Sequence, residues 1–175
     1  MSISMELILK LREKTGAGIM DVKKALEEAG NDEVKALELL YEKGQKIAAK
    51  KQAEREAKEG IVEAYTHGNK KMATLVQLAC ETDFVAKNQE FQELAHDIAM
   101  QVAATNPQYL SSEKVPSEVL KDILESELKS FYEENCLLSQ KFIKDNNITI
   151  HDLITEKIAK LGEKIEIKKI ARISF

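Results

Sequence analysis

Apolar residues recur at helical spacing through the first 45 residues, and glycine-rich punctuation interrupts them twice. Leu7, Ile8 and Leu11 form the stripe of a first helix, which Thr15-Gly16-Ala17-Gly18 breaks, since two glycines in four residues mark a turn. Val22, Ala25, Leu26 and Ala29 form a second stripe. It ends at Gly30-Asn31-Asp32, where glycine suits the position after a helix and Asn31 or Asp32 can cap the next one. A third helix carries Val34, Leu37, Leu40 and Tyr41. The spacing predicts a three-helix module over residues 1–45. From Lys46 to Glu59, alanine, lysine and glutamate replace the apolar stripe, a composition that favours solvated helix by propensity alone. Residues 46–59 therefore read as a helical linker. Lys46, Lys50 and Lys51 are also the candidates for an RNA contact, although the glutamates among them oppose one.

Beyond Gly60 the period changes from helix to strand. Ile61 to Thr66 is β-rich, His67-Gly68-Asn69-Lys70 is a hairpin signal, and Met72 to Cys80 alternates with both faces largely apolar, as a central strand does. Phe91, Leu94, Ala95, Ile98, Ala99 and Val102 then give an amphipathic helix that should cover the sheet, stopped by Asn106-Pro107. A further helix is expected from about Ser117 to Asn135, with Leu120, Ile123, Leu124, Leu128 and Phe131 inward. Thr149-Ile150-His151-Asp152 resembles a capping box opening a last helix that ends near Leu161. The chain closes as a third strand from Lys164 to Phe175. Ile165, Ile167, Ala171, Ile173 and Phe175 are expected on one face, and Lys168, Arg172 and Ser174 on the other. The class is α+β: a three-helix module, the linker, and a domain over residues 60–175 with a three-stranded antiparallel sheet packed by helices.

Composition narrows the function. The 175 residues are 43% apolar and 32% charged, with net charge −4, so a globular domain is affordable and no basic field invites nucleic acid. Cys80 and Cys136 form no C-x-x-C, which reads as a reducing, cytoplasmic setting. Met1 to Lys10 has no cleavable signal pattern, and no apolar run approaches a membrane span. His67, His96 and His151 lack metal spacing, and no phosphate-loop, dinucleotide or nucleophile-elbow motif occurs. Nothing calls for a cofactor.

The informative stretch is Cys80-Glu81-Thr82-Asp83-Phe84-Val85-Ala86-Lys87-Asn88, the joint between the central strand and the strongest helix. Two readings stand. Thr82 or Asp83 caps the helix and Phe84 tucks into the core, or the joint displays Phe84 to a partner with Asp83 as a charged guide.

Leu11-Arg12-Glu13-Lys14-Thr15-Gly16-Ala17-Gly18-Ile19-Met20-Asp21-Val22-Lys23-Lys24-Ala25-Leu26, Thr82-Asp83-Phe84-Val85 with Ala86-Lys87, Cys136-Leu137-Leu138, and Ile158-Ala159-Lys160-Leu161-Gly162-Glu163 occur in that order. Together they resemble the bacterial elongation factor Ts family. The resemblance implies a ubiquitin-associated-like N-terminal module and a guanine-nucleotide exchange factor for elongation factor Tu, with no covalent catalysis. It implies that Phe84 inserts near the Mg²⁺ and phosphate site of that GTPase and disturbs Mg²⁺ binding, that Asp83 orients it, and that Thr82 and Val85 shape the segment. Arg12, Ile19 and Met20 would be second contacts; the alternative reading puts Ile19 and Met20 in the module's core. Longer members carry two copies of the core and often an inserted coiled coil, whereas this chain has one copy. Short members pair, so a homodimer is expected. The stretch between Val115 and Phe131 is shorter than in such members. Readings from other classes are a partner-binding adaptor, a small hydrolase with a dispersed triad, and an RNA-binding accessory.

Overall fold

The computed structural model describes residues 3–175 and divides into two compact units. One takes the chain up to Glu56 together with Thr155–Lys164; the other is Ala57–Ile154 with Ile165–Phe175.

In the first unit, α1 (Met5–Thr15), α2 (Ile19–Glu28) and α3 (Glu33–Glu54) pack Ile8, Leu11, Val22, Ala25, Leu26, Ala36 and Leu40 into a small core. Asp32 caps α3, its Oδ1 accepting from the backbone N–H groups of Val34 and Lys35. Two expectations shift here. Val34 and Tyr41 are exposed, whereas the expected Leu40 is buried and Ala36 joins it, with Leu37 packed partly against them. The third helix also does not stop before Lys46. It continues to Glu54, because an Ala/Lys/Glu run propagates a helix that is already nucleated more cheaply than it starts one.

In the second unit, β1 (Glu59–Thr66), β2 (Met72–Cys80) and β5 (Glu166–Ser174) form an antiparallel sheet with β2 in the centre. The hairpin turns at His67–Lys70, where the Lys70 N–H donates to His67 O. Helix α5 (Gln89–Thr105) covers one face of the sheet with Phe91, Leu94, Ala95, Ile98, Ala99 and Val102, all buried. Thr74 Oγ1 fixes the contact by donating to Ala99 O at 2.8 Å.

The C-terminal strand departs from its expected pattern. Gln77 pairs with Lys169 but Leu78 pairs with Ile167, so the register shifts at this point. Each slip of one residue moves the following side chains to the other face. Ile165 and Ile167 are therefore buried, while Ala171, Ile173 and Phe175 stand exposed. The second face of the sheet is open, with Val62 65% exposed, Leu75 46% and Ile173 74%.

The expected helix from Ser117 to Asn135 is broken. Helix α6 spans only Ser117–Leu120, a 3₁₀ turn occupies Glu125–Glu127, and α7 runs Leu128–Asn135. Leu120, Ile123, Leu124, Leu128 and Phe131 are not buried, and Leu124 is 66% exposed. A helical stripe needs a surface to cover, and α6 and α7 bury no residue at all. A short hairpin, β3 (Lys141–Phe142) with β4 (Asp145–Thr149), lies where the sequence shows no strand period. Buried Gln101 holds it: Nε2 donates to Gln140 Oε1 and Lys141 O, and Oε1 accepts from the Ile143 N–H. The last helix, α8 (Ile150–Leu161), starts at the expected Thr149–Asp152 capping box.

Candidate functional site

The joint after β2 is a helical turn of its own, α4 (Asp83–Ala86). Thr82 precedes it in extended backbone, φ −128° and ψ 157°, and its Oγ1 accepts from the Val85 N–H at 3.4 Å. Thr82 O accepts from the Ala86 N–H at 3.2 Å and also from the Cys80 thiol at 3.2 Å, which ties the turn to the end of the strand. Asn88 closes the segment by capping α5, its Oδ1 accepting from the Glu90 N–H at 2.8 Å. Two caps in seven residues let the chain leave a strand, make one turn and enter a helix.

That turn has an inside and an outside. Ala86 is buried and Val85 is half-buried. Phe84 is 82% exposed, far beyond the usual accessibility of a phenylalanine. The core reading of Phe84 is therefore excluded, while the capping reading of Thr82 holds. Asp83 is exposed and pairs with Lys87, Nζ to Oδ2 2.7 Å. The hydrogen bond from Lys87, followed by its charge, holds the Asp83 carboxyl below its ordinary value and raises the Lys87 ammonium in return. The Asp83–Lys87 spacing of four residues was visible in the sequence as a helical ion-pair signal, yet it gained meaning only when this segment proved helical.

Arg12, Ile19 and Met20 belong to the first unit. Gly16 takes φ 66° after α1 and its N–H donates to Arg12 O at 2.8 Å, which ends the helix beside Arg12. Thr15 Oγ1 donates to Leu11 O and accepts from the Ala17 N–H, bracing the same loop. Arg12 is exposed, and Ile19 and Met20 are 43% and 63% exposed, so neither apolar residue is part of the module's core.

His96 Nδ1 lies 2.8 Å from Glu63 Oε1, with the Tyr65 ring edge-on at 5.8 Å. Among the described residues no group of three or more His, Cys, Asp or Glu side chains is arranged to hold a metal, and no helix is long and apolar enough to cross a membrane. Cys80 and Cys136 are both buried, and burial pushes the Cys136 thiol up.

The geometry is thus a bare aromatic beside a paired acid on a braced turn. The profile of the family described as Elongation factor TS matches residues 5–125 and 116–157. Elongation factor Ts of Carboxydothermus hydrogenoformans is 48% identical over 99% of this chain and 89% of its own length. That of Thermodesulfovibrio yellowstonii is 47% identical over 98% and 96%, and that of Moorella thermoacetica 50% over 93% and 90%. The chain belongs to the elongation factor Ts family, whose members serve translation as nucleotide exchange factors of elongation factor Tu and carry out no covalent catalysis. The first two alignments run over 194 and 192 positions, more than the 175 residues present here, so these relatives have residues that this chain lacks. The two profile matches overlap at 116–125, within the stretch that α6 and the 3₁₀ turn occupy.

Proposed function

We propose that this protein, acting in the cytoplasm, releases GDP from elongation factor Tu by inserting Phe84 near the Mg²⁺ and phosphate site of the GTPase. The observation that carries the reading is Phe84 itself, a large aromatic left 82% exposed on a turn whose other contacts are satisfied. A large aromatic held out on a fixed turn has the form of an interface anchor, the kind of side chain that fills a partner's pocket. Asp83 orients the wedge, and Thr82 and Val85 set the shape of the turn. GDP is held through Mg²⁺ and donors around its phosphates, and small displacements of those groups weaken it. Exchange factor and nucleotide then lower each other's affinity by the same factor, so no bond need be made or broken.

Arg12, Ile19 and Met20 act as a second contact from a ubiquitin-associated-like module over residues 1–45, joined through residues 46–59 to the core domain, 60–175. Their exposure around the braced Thr15–Gly18 loop supports this. The protein works as a homodimer without a cofactor and without direct contact to nucleic acid. Support for pairing comes from the open face of the sheet, where Val62, Leu75 and Ile173 are exposed together. An antiparallel sheet that faces water usually carries polar residues on that side.

Stopped-flow release of fluorescent GDP from elongation factor Tu tests the wedge. Strong acceleration by the parent, largely lost in Phe84→Ala, is the expected result. Acceleration kept by Phe84→Ala transfers the mechanism to Asp83 or to the N-terminal module. No acceleration by a folded parent that still binds leaves an adaptor.

A further inference from the structure

Between Lys71 and Lys114 the chain has a single Lys or Arg, Lys87, among six acids: Glu81, Asp83, Glu90, Glu93, Asp97 and Glu113. That lone cation of the stretch lies at the end of the turn that displays Phe84, its Nζ 2.7 Å from Asp83 Oδ2. Both side chains of the pair are largely in water. A surface pair at this spacing adds little to folding, and the turn is already secured by Thr82, Ala86 and the Asn88 cap. Stability therefore does not account for a cation at this point.

Charge does. Without Lys87 the segment from Glu81 to Glu90 would hold Glu81, Asp83 and Glu90 and no Lys or Arg, and Asp83, exposed beside Phe84, would lose the cation it pairs with. Its target holds a nucleoside diphosphate, and like charges brought together at an interface are strongly unfavourable. Resting on the exchange reading above, we propose that Lys87 is a further specificity-determining residue. Its ammonium offsets Asp83 in the free protein, and it provides the cation that allows Phe84 to approach a phosphate-bearing surface.

Fluorescent GDP release, measured against concentration of the full-length protein at low and high salt, tests this with Lys87→Met, Lys87→Arg and Lys87→Glu. At low salt Lys87→Met should raise the half-saturating concentration about tenfold while leaving the maximal rate near that of the parent. Lys87→Glu should be worse, and Lys87→Arg should restore the parent to within about twofold. The differences should shrink at high salt, where exposed charges are screened. All variants should melt with the parent, so a merely structural role predicts none of these shifts. Lys87→Met matching the parent at low salt overturns the proposal, as does a loss that Arg does not restore or that salt does not change. A parent that releases no GDP overturns the exchange reading, and this inference with it.

Discussion

Ala86 is 6% exposed and Phe84, two residues earlier in the same helical turn, is 82% exposed. The small residue anchors the turn and the large one is held out. A mutation of each should therefore act on a different property. Phe84→Ala removes little native packing and should leave the folding free energy within the scatter of surface substitutions, about ±0.5 kcal/mol. Ala86→Leu inserts methylenes where the turn meets the domain and should cost about 1–3 kcal/mol. Thermal melts of the two variants, set beside their GDP-release rates, separate display from anchoring. A large loss of stability in Phe84→Ala would mean that the ring is a packing residue after all.

Thr149 and Asp152 should control the acid side of the stability curve. Asp152 Oδ2 accepts from the Thr149 N–H at 3.0 Å and hydroxyl at 2.7 Å, and Thr149 Oγ1 accepts from the Asp152 N–H at 3.1 Å. Burial pushes the Asp152 carboxyl up. The hydrogen bonds from Thr149, with a contribution from His151, outweigh burial and hold it below its ordinary value. A carboxyl depressed in the folded state binds its proton more readily when unfolded. Its contribution is thus fully present above the ordinary range near pH 4 and disappears as pH falls through the lower folded value. Asp152→Asn should lose about 0.5–2 kcal/mol at neutral pH, the usual worth of a cap. That deficit should diminish below about pH 3. Denaturant midpoints across pH check it, and a constant deficit would contradict it.

Gly60 should tolerate no side chain. It takes φ +147°, and a Cβ built there would lie 2.2 Å from Leu78 O and 2.7 Å from Ala79 Cα. The contacting atoms are backbone of the central strand and cannot swing aside. Gly60→Ala should cost about 1–3 kcal/mol through backbone strain alone, with the clash in addition. Because the clash lies where β1 pairs with β2, amide exchange in β1 should accelerate more than in α5. Parent-like stability of this variant would show that the strand shifts at little cost.

The proposed homodimer can be tested by breaking it. Leu75→Lys with Ile173→Lys places charge on exposed apolar positions of the open sheet face, where neither side chain supports the monomer's core. Light scattering at micromolar concentration should give a dimer for the parent and a monomer for the double variant, with melting of the monomer's own secondary structure little changed. A monomeric parent removes the dimer; a dimeric double variant moves its interface elsewhere.

The sequence by itself determined the parts governed by local rules. Glycine and asparagine at residues 16, 30 and 106 mark helix ends that hold in space, the Thr149–Asp152 box caps its helix, and the period-two run of β2 makes it the central strand. These depend on backbone conformation and on burial repeated at a fixed period. Thr82-Asp83-Phe84-Val85 likewise stood out in the sequence, since its interest lay in residue type and in its place between two periodic elements.

What only the tertiary structure decided depended on surfaces distant in sequence. Whether Phe84 turned in or out was open until Ala86 was found to occupy the inner side of the turn. The shift opposite Gln77/Leu78 moved Ala171 and Ile173 to the open face, against a pattern that placed them with Ile167. The apolar residues between Leu120 and Phe131 read as one helix, yet none of them is fully buried and the helix breaks. Periodicity records which residues could share a face, but burial requires a second face to meet them, and only the folded chain provides it.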